Sequence, residues 1–306
     1  MTSALATSAG QHSSGALWML LGSLAFATMG VCVKLASEHF HAAELVFYRG
    51  LISALLMGAM MRLRGVTWRT QVPAAHAWRS LSGVTSLTAW YYAIAALPLA
   101  TAMTLNYMSS IWVGAFVIGG SVLLGRGTDR QGPLMLAVLA SFAGVVLVLQ
   151  PTLAQNQLFA GLVGLMSGLI SALAYLQVTA LGKMGEPEER TVFYFSLACL
   201  GFGAVSLGFW GASPLNWEFG RWLLPMGVLA TVGQWCMTRA YRRGSTLVVA
   251  NLQYSGIVFA AVYSLLLFGD QLSPLAWLGI LIITISGVTA TVLRSRHAPA
   301  VSGHET

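Results

Sequence analysis

The chain has 306 residues, of which 57% are hydrophobic and only 8% charged, with a formal net charge of +7. Soluble domains carry about 25% charged residues, so this composition excludes an ordinary soluble fold. The positive balance does not point to nucleic acid, because the basic residues stand in loops between apolar runs and form no continuous stripe.

Residues 1–14 are rich in Ser, Ala and Thr, hold no Lys or Arg, and read as a disordered N-terminal tail. The first apolar run is too long, and its upstream region too neutral, for a cleaved signal peptide. Ten apolar runs of about 20 residues, the length that spans hydrocarbon as a helix, follow in order: 16–36, 43–61, 78–97, 101–124, 133–150, 160–182, 191–211, 221–241, 246–268 and 274–293. The connections are too short for a separate soluble domain, and 295–306 reads as a disordered C-terminal tail. Cys32, Cys199 and Cys236 all lie within predicted spans, so neither a disulfide framework nor a zinc site follows from them. No metal and no cofactor are predicted.

With the N-terminus in the cytoplasm, thirteen basic residues fall on or beside the cytoplasmic side: Arg62, Arg64, Arg69, Arg79, Arg126, Arg130, Lys183, Arg190, Arg239, Arg242, Arg243, Arg294 and Arg296. Only Lys34, Arg49 and Arg221 fall toward the other side. This bias sets the orientation and predicts a multi-pass protein with both termini cytoplasmic. The excess of Arg over Lys suggests a GC-rich genome, hence a bacterial plasma (inner) membrane.

The second half repeats the first. Trp90, Ala95, Thr101 and Asn106 recur at identical spacing as Trp235, Ala240, Thr246 and Asn251. Asn106-Tyr107-Met108-Ser109-Ser110 is echoed by Asn251-Leu252-Gln253-Tyr254-Ser255, and Leu123-Leu124-Gly125 by Leu267-Phe268-Gly269. Each half holds five spans. Five is odd, so the second half enters the membrane from the opposite side. The predicted fold is therefore all-α integral membrane, with ten transmembrane helices as two inverted five-helix repeats, 15–151 and 158–294. Helical rise puts Trp90 and Trp235 near the midplane, with Asn106 and Asn251 flanking it from opposite sides.

The chain resembles the drug/metabolite transporter superfamily, specifically its EamA-type members. The carrying stretches are Arg79-Ser80-Leu81-Ser82-Gly83, Tyr91-Tyr92-Ala93-Ile94-Ala95-Ala96-Leu97-Pro98-Leu99-Ala100, and Leu266-Leu267-Phe268-Gly269-Asp270-Gln271-Leu272 followed by Leu278-Gly279 and Gly287. The resemblance implies a secondary transporter working by alternating access, with a cavity lined mainly by spans three, four, eight and nine. Such families often carry an acidic residue after the Gly that ends spans four and nine; here the first copy has Arg126 and the second Asp270. The aromatic stretch is also similar to carriers of S-adenosylmethionine and riboflavin in the superfamily.

Several polar faces are candidates for the cavity wall. Asn106, Ser109 and Ser110 share one helical face, as do Asn251, Tyr254 and Ser255. They either line a wet cavity or hydrogen-bond between helices. Thr231, Gln234, Trp235 and Thr238 form another stripe, with Trp90 its aromatic counterpart. Aromatic walls suit a flat or partly apolar substrate, and ordinary packing is the competing reading. Tyr91 and Tyr92 face about 100° apart, so either could point inward. Tyr175, on a face with Ser167 and Ser171, either reaches the cavity or packs. Arg49 and Lys34 are candidates to attract a substrate carboxylate or phosphate, and Glu44 to pair with one of them or carry a coupling proton. Snorkelling to the interface is the alternative for these charges.

These readings predict a secondary transporter of a small organic metabolite, amino-acid-like, nucleotide-like or flavin-like. A drug or toxic-metabolite efflux carrier is the alternative. An integral-membrane enzyme is remote, since no nucleophile–base pair or phosphate loop is present. The duplicated polar stripes argue against a structural or assembly protein. The expected partners are the lipid bilayer and the substrate, not nucleic acid, with the protein a monomer or homodimer.

Overall fold

A computed structural model describes residues 2–123, 157–214, 216–244 and 252–295, together with 140, 143, 144, 146, 147 and 249. Among the described residues every regular element is helical: α1 (Thr2–Ala36), α2 (Ala42–Leu63), α3 (Pro73–Ala96), α4 (Leu99–Tyr107), α5 (Ser109–Leu123), α6 (Leu158–Lys183), α7 (Glu188–Trp210), the single turn α8 (Trp217–Gly220), α9 (Leu223–Arg243), α10 (Ser255–Leu267) and α11 (Pro274–Ser295). Four stretches, Gly15–Ala36, Ala42–Leu63, Leu158–Lys183 and Glu188–Trp210, are individually long and apolar enough to cross a membrane.

Local chemistry explains where the helices stop. At the start of α2, Glu44 Oε2 accepts from the His41 N–H at 2.7 Å, the carboxylate half of a capping box. Pro73 opens α3, where its missing N–H costs nothing. Gly65 (φ 66°) and Gly185 (φ 83°) end α2 and α6 in the left-handed region. In both turns the next residue's N–H closes back onto the helix, Val66 to Met61 O and Glu186 to Leu181 O. This is the glycine-dependent Schellman closure, and it places Arg64 and Glu186 at the same end of the bundle. Pro98 pushes Leu97 into extended backbone and ends α3.

Two features differ from the sequence expectation. Span four is not one helix: it breaks at Met108, between α4 and α5. There the Ile111 N–H bonds Met108 O, a tight three-residue turn. The same turn recurs before α10, where the Gly256 N–H bonds Gln253 O. Met108 and Gln253 are equivalent in the repeat, and no proline marks either position. Second, α1 runs from Thr2, so helix takes in the segment read as a tail. Asn251, Thr246, Gly125, Arg126, Arg130, Arg296 and most of span five lie outside the described residues.

The most extensive packing joins α2 to α7, α1 to α9 and α3 to α6, followed by α9 to α2, α1 to α10, and α4 to both α6 and α10. Glycines permit the closest approaches. A Cβ on Gly50 would stand 2.5 Å from the Leu200 backbone N, and one on Gly168 would stand 2.6 Å from Leu105 O. Inside the bundle are Trp90, Tyr91, Tyr107 and Tyr241; outside stand Leu55, Leu81, Phe209, Trp210, Leu224 and Leu266. A soluble monomer rarely exposes so much contiguous apolar surface; a lipid-facing one must.

Candidate functional site

A pocket opens at the centre of the bundle, lined by Phe26 from α1, Arg49 from α2, Arg79, Gly83, Ser86, Leu87 and Trp90 from α3, Asn106 and Tyr107 from α4, Ser171, Ala174 and Tyr175 from α6, Phe195 from α7, and Gln234 and Met237 from α9. Its volume is about 40 Å³, well below the roughly 300 Å³ at which small-molecule pockets begin. A larger hollow of about 310 Å³ lies at the rim between His41, Glu44 and Trp210. That hollow is remote from the repeat-related residues, so the central pocket is the better candidate.

Two arginines dominate the pocket electrostatically. Arg49 and Arg79 are each only 3% exposed. Their Cζ atoms lie 5.1 and 4.2 Å from the centroid of one ring, that of Phe195. Arg49 Nη2 donates to Gln234 Oε1 at 3.3 Å. Gly83, one turn after Arg79, leaves the space over which the Arg79 guanidinium folds; a Cβ there would collide with Arg79 Nη1. No Asp or Glu is among the lining residues.

Beside the arginines runs a neutral polar network. Asn106 Nδ2 donates to Ser167 Oγ at 2.9 Å and to Ser171 Oγ at 3.3 Å. Ser86 bonds Ser171 and the Ser167 carbonyl. Gln253 Nε2 donates to the Tyr175 hydroxyl at 3.1 Å, and the Tyr175 ring stacks on Tyr241 at 5.5 Å. Asn106 thus both lines the pocket and ties α4 to α6.

Of the residues singled out from sequence, Arg49, Trp90, Asn106, Tyr175 and Gln234 meet at this pocket, while others do not. Trp235 sits outside it, edge-on to Trp18 at 5.3 Å, with Arg64 and Arg239 over its ring. The reason is helical phase: Gln234 faces inward, and the next residue is turned by about 100°. Tyr91 is buried against Met29, its hydroxyl 3.4 Å from the sulfur. Tyr92 points outward, 42% exposed, and packs on Phe159. Ser109 and Tyr254 are buried at the two helix breaks, beside Ser110, without lining the pocket. Asn251 lies outside the described residues.

Lys34 and Glu44 also stand apart from the pocket. Lys34 Nζ donates to Leu97 O at 2.7 Å, capping α3, and lies over Phe268. Glu44 Oε1 accepts from the Ser213 N–H at 2.6 Å, and Oε2 from the Ser213 hydroxyl at 2.9 Å. Its carboxylate pins the start of α2 to the segment after α7, with no contact to Lys34 or Arg49 among the described bonds. Arg79, Phe195 and Tyr107 were not singled out from sequence. For Arg79 a signal existed: Gly four residues on, and Ser80, Gly83 and Ser86 following it, make a small-residue face that could admit a long side chain.

At the end of the bundle formed by the Gly65 and Gly185 turns, a charged cluster joins three loops. Glu186 accepts from the Thr70 hydroxyl (2.8 Å), Arg190 Nη1 (3.0 Å) and His76 Nε2 (3.2 Å). Arg190 also donates to the Thr67 carbonyl and hydroxyl. Glu189 pairs with Arg64, and Glu188 with Arg242 and Arg243. Burial works to raise the Glu186 carboxyl, but the bonds from Thr70, His76 and Arg190 outweigh it and hold it below the ordinary carboxylate range. Burial lowers His76, which precedes the predicted span 78–97, so its ring is neutral at pH 7 and donates through Nε2–H.

The chain belongs to the EamA-like transporter family, whose family model matches residues 13–150 and 158–292. It is 32% identical, over 89% of its own length and 94% of the relative's, to a pseudopaline exporter of Pseudomonas aeruginosa. It is 28% identical, over 88% of both chains, to a riboflavin transporter of Rhizobium johnstonii. A solved crystal structure superposes with a TM-score of 0.68 over 94% of this chain and 100% of the other, at 18% identity, which speaks to the fold alone.

Proposed function

We propose that this member of the EamA-like transporter family carries a small organic metabolite, amino-acid-like, nucleotide-like or flavin-like, by alternating access through the central pocket. The observation that carries this reading is the pocket's lining, drawn from α1, α2, α3, α4, α6, α7 and α9 and hence from both halves of the chain. Repeat interfaces are where many transporters bind substrate. The packing pattern supports two inverted repeats, 15–151 and 158–294, crossing ten times. Exchanging the halves turns α1 on α9 into α6 on α3, α10 on α1 into α5 on α6, and α9 on α2 into α3 on α7, all of which occur.

Two features support alternating access. The helix breaks at Met108 and Gln253 are equivalent in the two halves, as paired hinges would be. The charged cluster around Glu186, Glu188 and Glu189 closes one end, which the basic-residue census makes the cytoplasmic one. A metabolite fills several hundred Å³, so a pocket of about 40 Å³ must widen to admit it. On this reading the conformation is one closed toward the cytoplasm, with both termini on that side of a bacterial inner membrane. Efflux is the direction we favour, on the strength of the relative named as an exporter.

A thermal-shift screen of the purified protein against metabolite pools, followed by proteoliposome flux of the hits, tests the reading. Saturable flux of at least one hit is expected. Correctly folded protein that moves none of them refutes it.

A further inference from the structure

Among the described residues, Arg49 and Arg79 are buried cations without an anion. Arg79 Nε and Nη1 and Arg49 Nε and Nη1 reach no oxygen or nitrogen acceptor, and Trp90 Nε1 and the Tyr107 hydroxyl at the same pocket are also without one. The nearby carboxylates are committed elsewhere: Glu44 to Ser213 and His41, Glu186 to Thr70, His76 and Arg190, Glu188 and Glu189 to Arg242, Arg243 and Arg64, and Asp270 to Ser264. Arginine does not shed its proton in a protein. Buried charge in a membrane bundle is costly unless paired, and stacking on Phe195 compensates only part of it. Two guanidinium groups on one ring, in a pocket without a carboxylate, are therefore an unfavourable arrangement for the empty protein.

We propose that Arg49 and Arg79 form an anion seat, and that the transported metabolite is an organic anion whose carboxylate or phosphoryl group docks between them. This rests on the reading of the central pocket as the transport site. Each guanidinium offers paired donors that match the oxygens of either group. Gln234 holds Arg49 by one nitrogen, and Nε and Nη1 are left without an oxygen or nitrogen acceptor beside the Cys199 thiol. Gly83 provides the room that lets the Arg79 side chain lie toward the pocket. Trp90 and Tyr107 add two neutral donors and an aromatic wall for the rest of the molecule. Both cations come from the first half; in the register that pairs Trp90 with Trp235, the position of Arg79 is held by Leu224. The seat therefore breaks the symmetry of the repeat and gives the pocket one charged side.

The test uses the full chain in nanodiscs, melted with citrate, L-glutamate or inorganic phosphate. Sodium chloride at matched ionic strength and neutral L-glutamine are the comparators. The wild type is expected to be stabilised by at least one anion beyond both comparators, and which anion it is separates carboxylate from phosphate recognition. In R49M and R79M the half-saturating concentration should rise about tenfold or more, with R79K retaining part of the response. R79M without ligand should melt at or above the wild type, because it removes an unpaired buried cation; a purely structural arginine would make it melt lower. An unchanged anion response in both methionine variants, or a wild type stabilised by none of the three anions, overturns the seat. Flux measured in parallel keeps the two readings separate. Transport of neutral solutes without anion binding sinks the seat alone, whereas arginine-dependent anion binding without any flux sinks the transporter reading alone.

Discussion

Gly168 on α6 faces the last turn of α4, and the consequences of Gly168→Ala follow from distances. A Cβ there would lie 2.6 Å from Leu105 O and 2.9 Å from Asn106 O. Comfortable contact needs about 3.5 Å, so α6 must retreat by roughly 0.6–0.9 Å or α4 must bend at its break. Both acceptors are backbone atoms and cannot swing aside. Overpacking of this kind costs about 1–3 kcal/mol, less about 0.5–1 kcal/mol gained because alanine favours helix over glycine. A retreat of that size also stretches the bond from Asn106 Nδ2 to Ser167 Oγ, now 2.9 Å, past its useful range. Two controls grade the effect. Gly164 would meet only the side chains of Leu105 and Ala93 at 3.2–3.3 Å, and Gly201 has nothing within 4 Å. Thermal melting in a fixed detergent should therefore rank Gly201→Ala at or above wild type, Gly164→Ala slightly below it, and Gly168→Ala lowest, with transport most reduced in the last. Gly168→Ala melting with Gly201→Ala would refute the claim that backbone approach at the α4 break holds the site together.

Three further outcomes are expected. Asn106→Ala should lower stability by about 0.6–1.7 kcal/mol, the measured range for membrane side-chain hydrogen bonds, read by SDS-induced unfolding and accompanied by loss of substrate response. The Glu186 and His76 values are both depressed in the folded protein, so their contribution is complete above the ordinary His value of 6.5 and is lost as pH falls, first through His76 and then through Glu186 below 4.5. Melting temperature should decline on acidification from pH 7.5, and His76→Gln should flatten the upper part of that decline. Replacing Glu188 and Glu189 by Gln should loosen the closed end, seen as faster maleimide labelling of buried Cys199 and Cys236; high salt should act in the same direction by screening the partly exposed Arg64 and Arg242.

Much of the architecture is written in single-residue chemistry and period. The apolar runs 43–61, 78–97, 160–182, 191–211, 221–241 and 274–293 match described helices to within about five residues, because about 20 apolar residues have few alternatives to helix in lipid. The register linking Trp90 to Trp235 makes the two breaks equivalent but did not announce them: nothing at Met108 or Gln253 marks a turn, and only the three-residue hydrogen bonds show it. Arg49, Trp90, Asn106, Tyr175 and Gln234 were legible as inward candidates from polarity and repetition.

Other assignments required the tertiary structure. Sequence symmetry pairs Trp235 with Trp90, yet α9 is rotated so that Gln234 takes the pocket and Trp235 takes Trp18. Tyr91 and Tyr92 are interchangeable in sequence and part completely once α3 is packed. Lys34 and Glu44 looked like charges in search of a ligand, but Leu97 O and Ser213, each more than sixty residues away along the chain, satisfy them. Arg79 looked like one more cytoplasmic basic residue, until Gly83 allowed its side chain to fold toward Phe195. Sequence by itself determined the class, the helices and the repeat, because burial in lipid and helical period are local properties. Which polar groups remain without a partner was decided only by the tertiary structure, because a partner is supplied by whatever helix is packed opposite, and that choice is not encoded within any one segment.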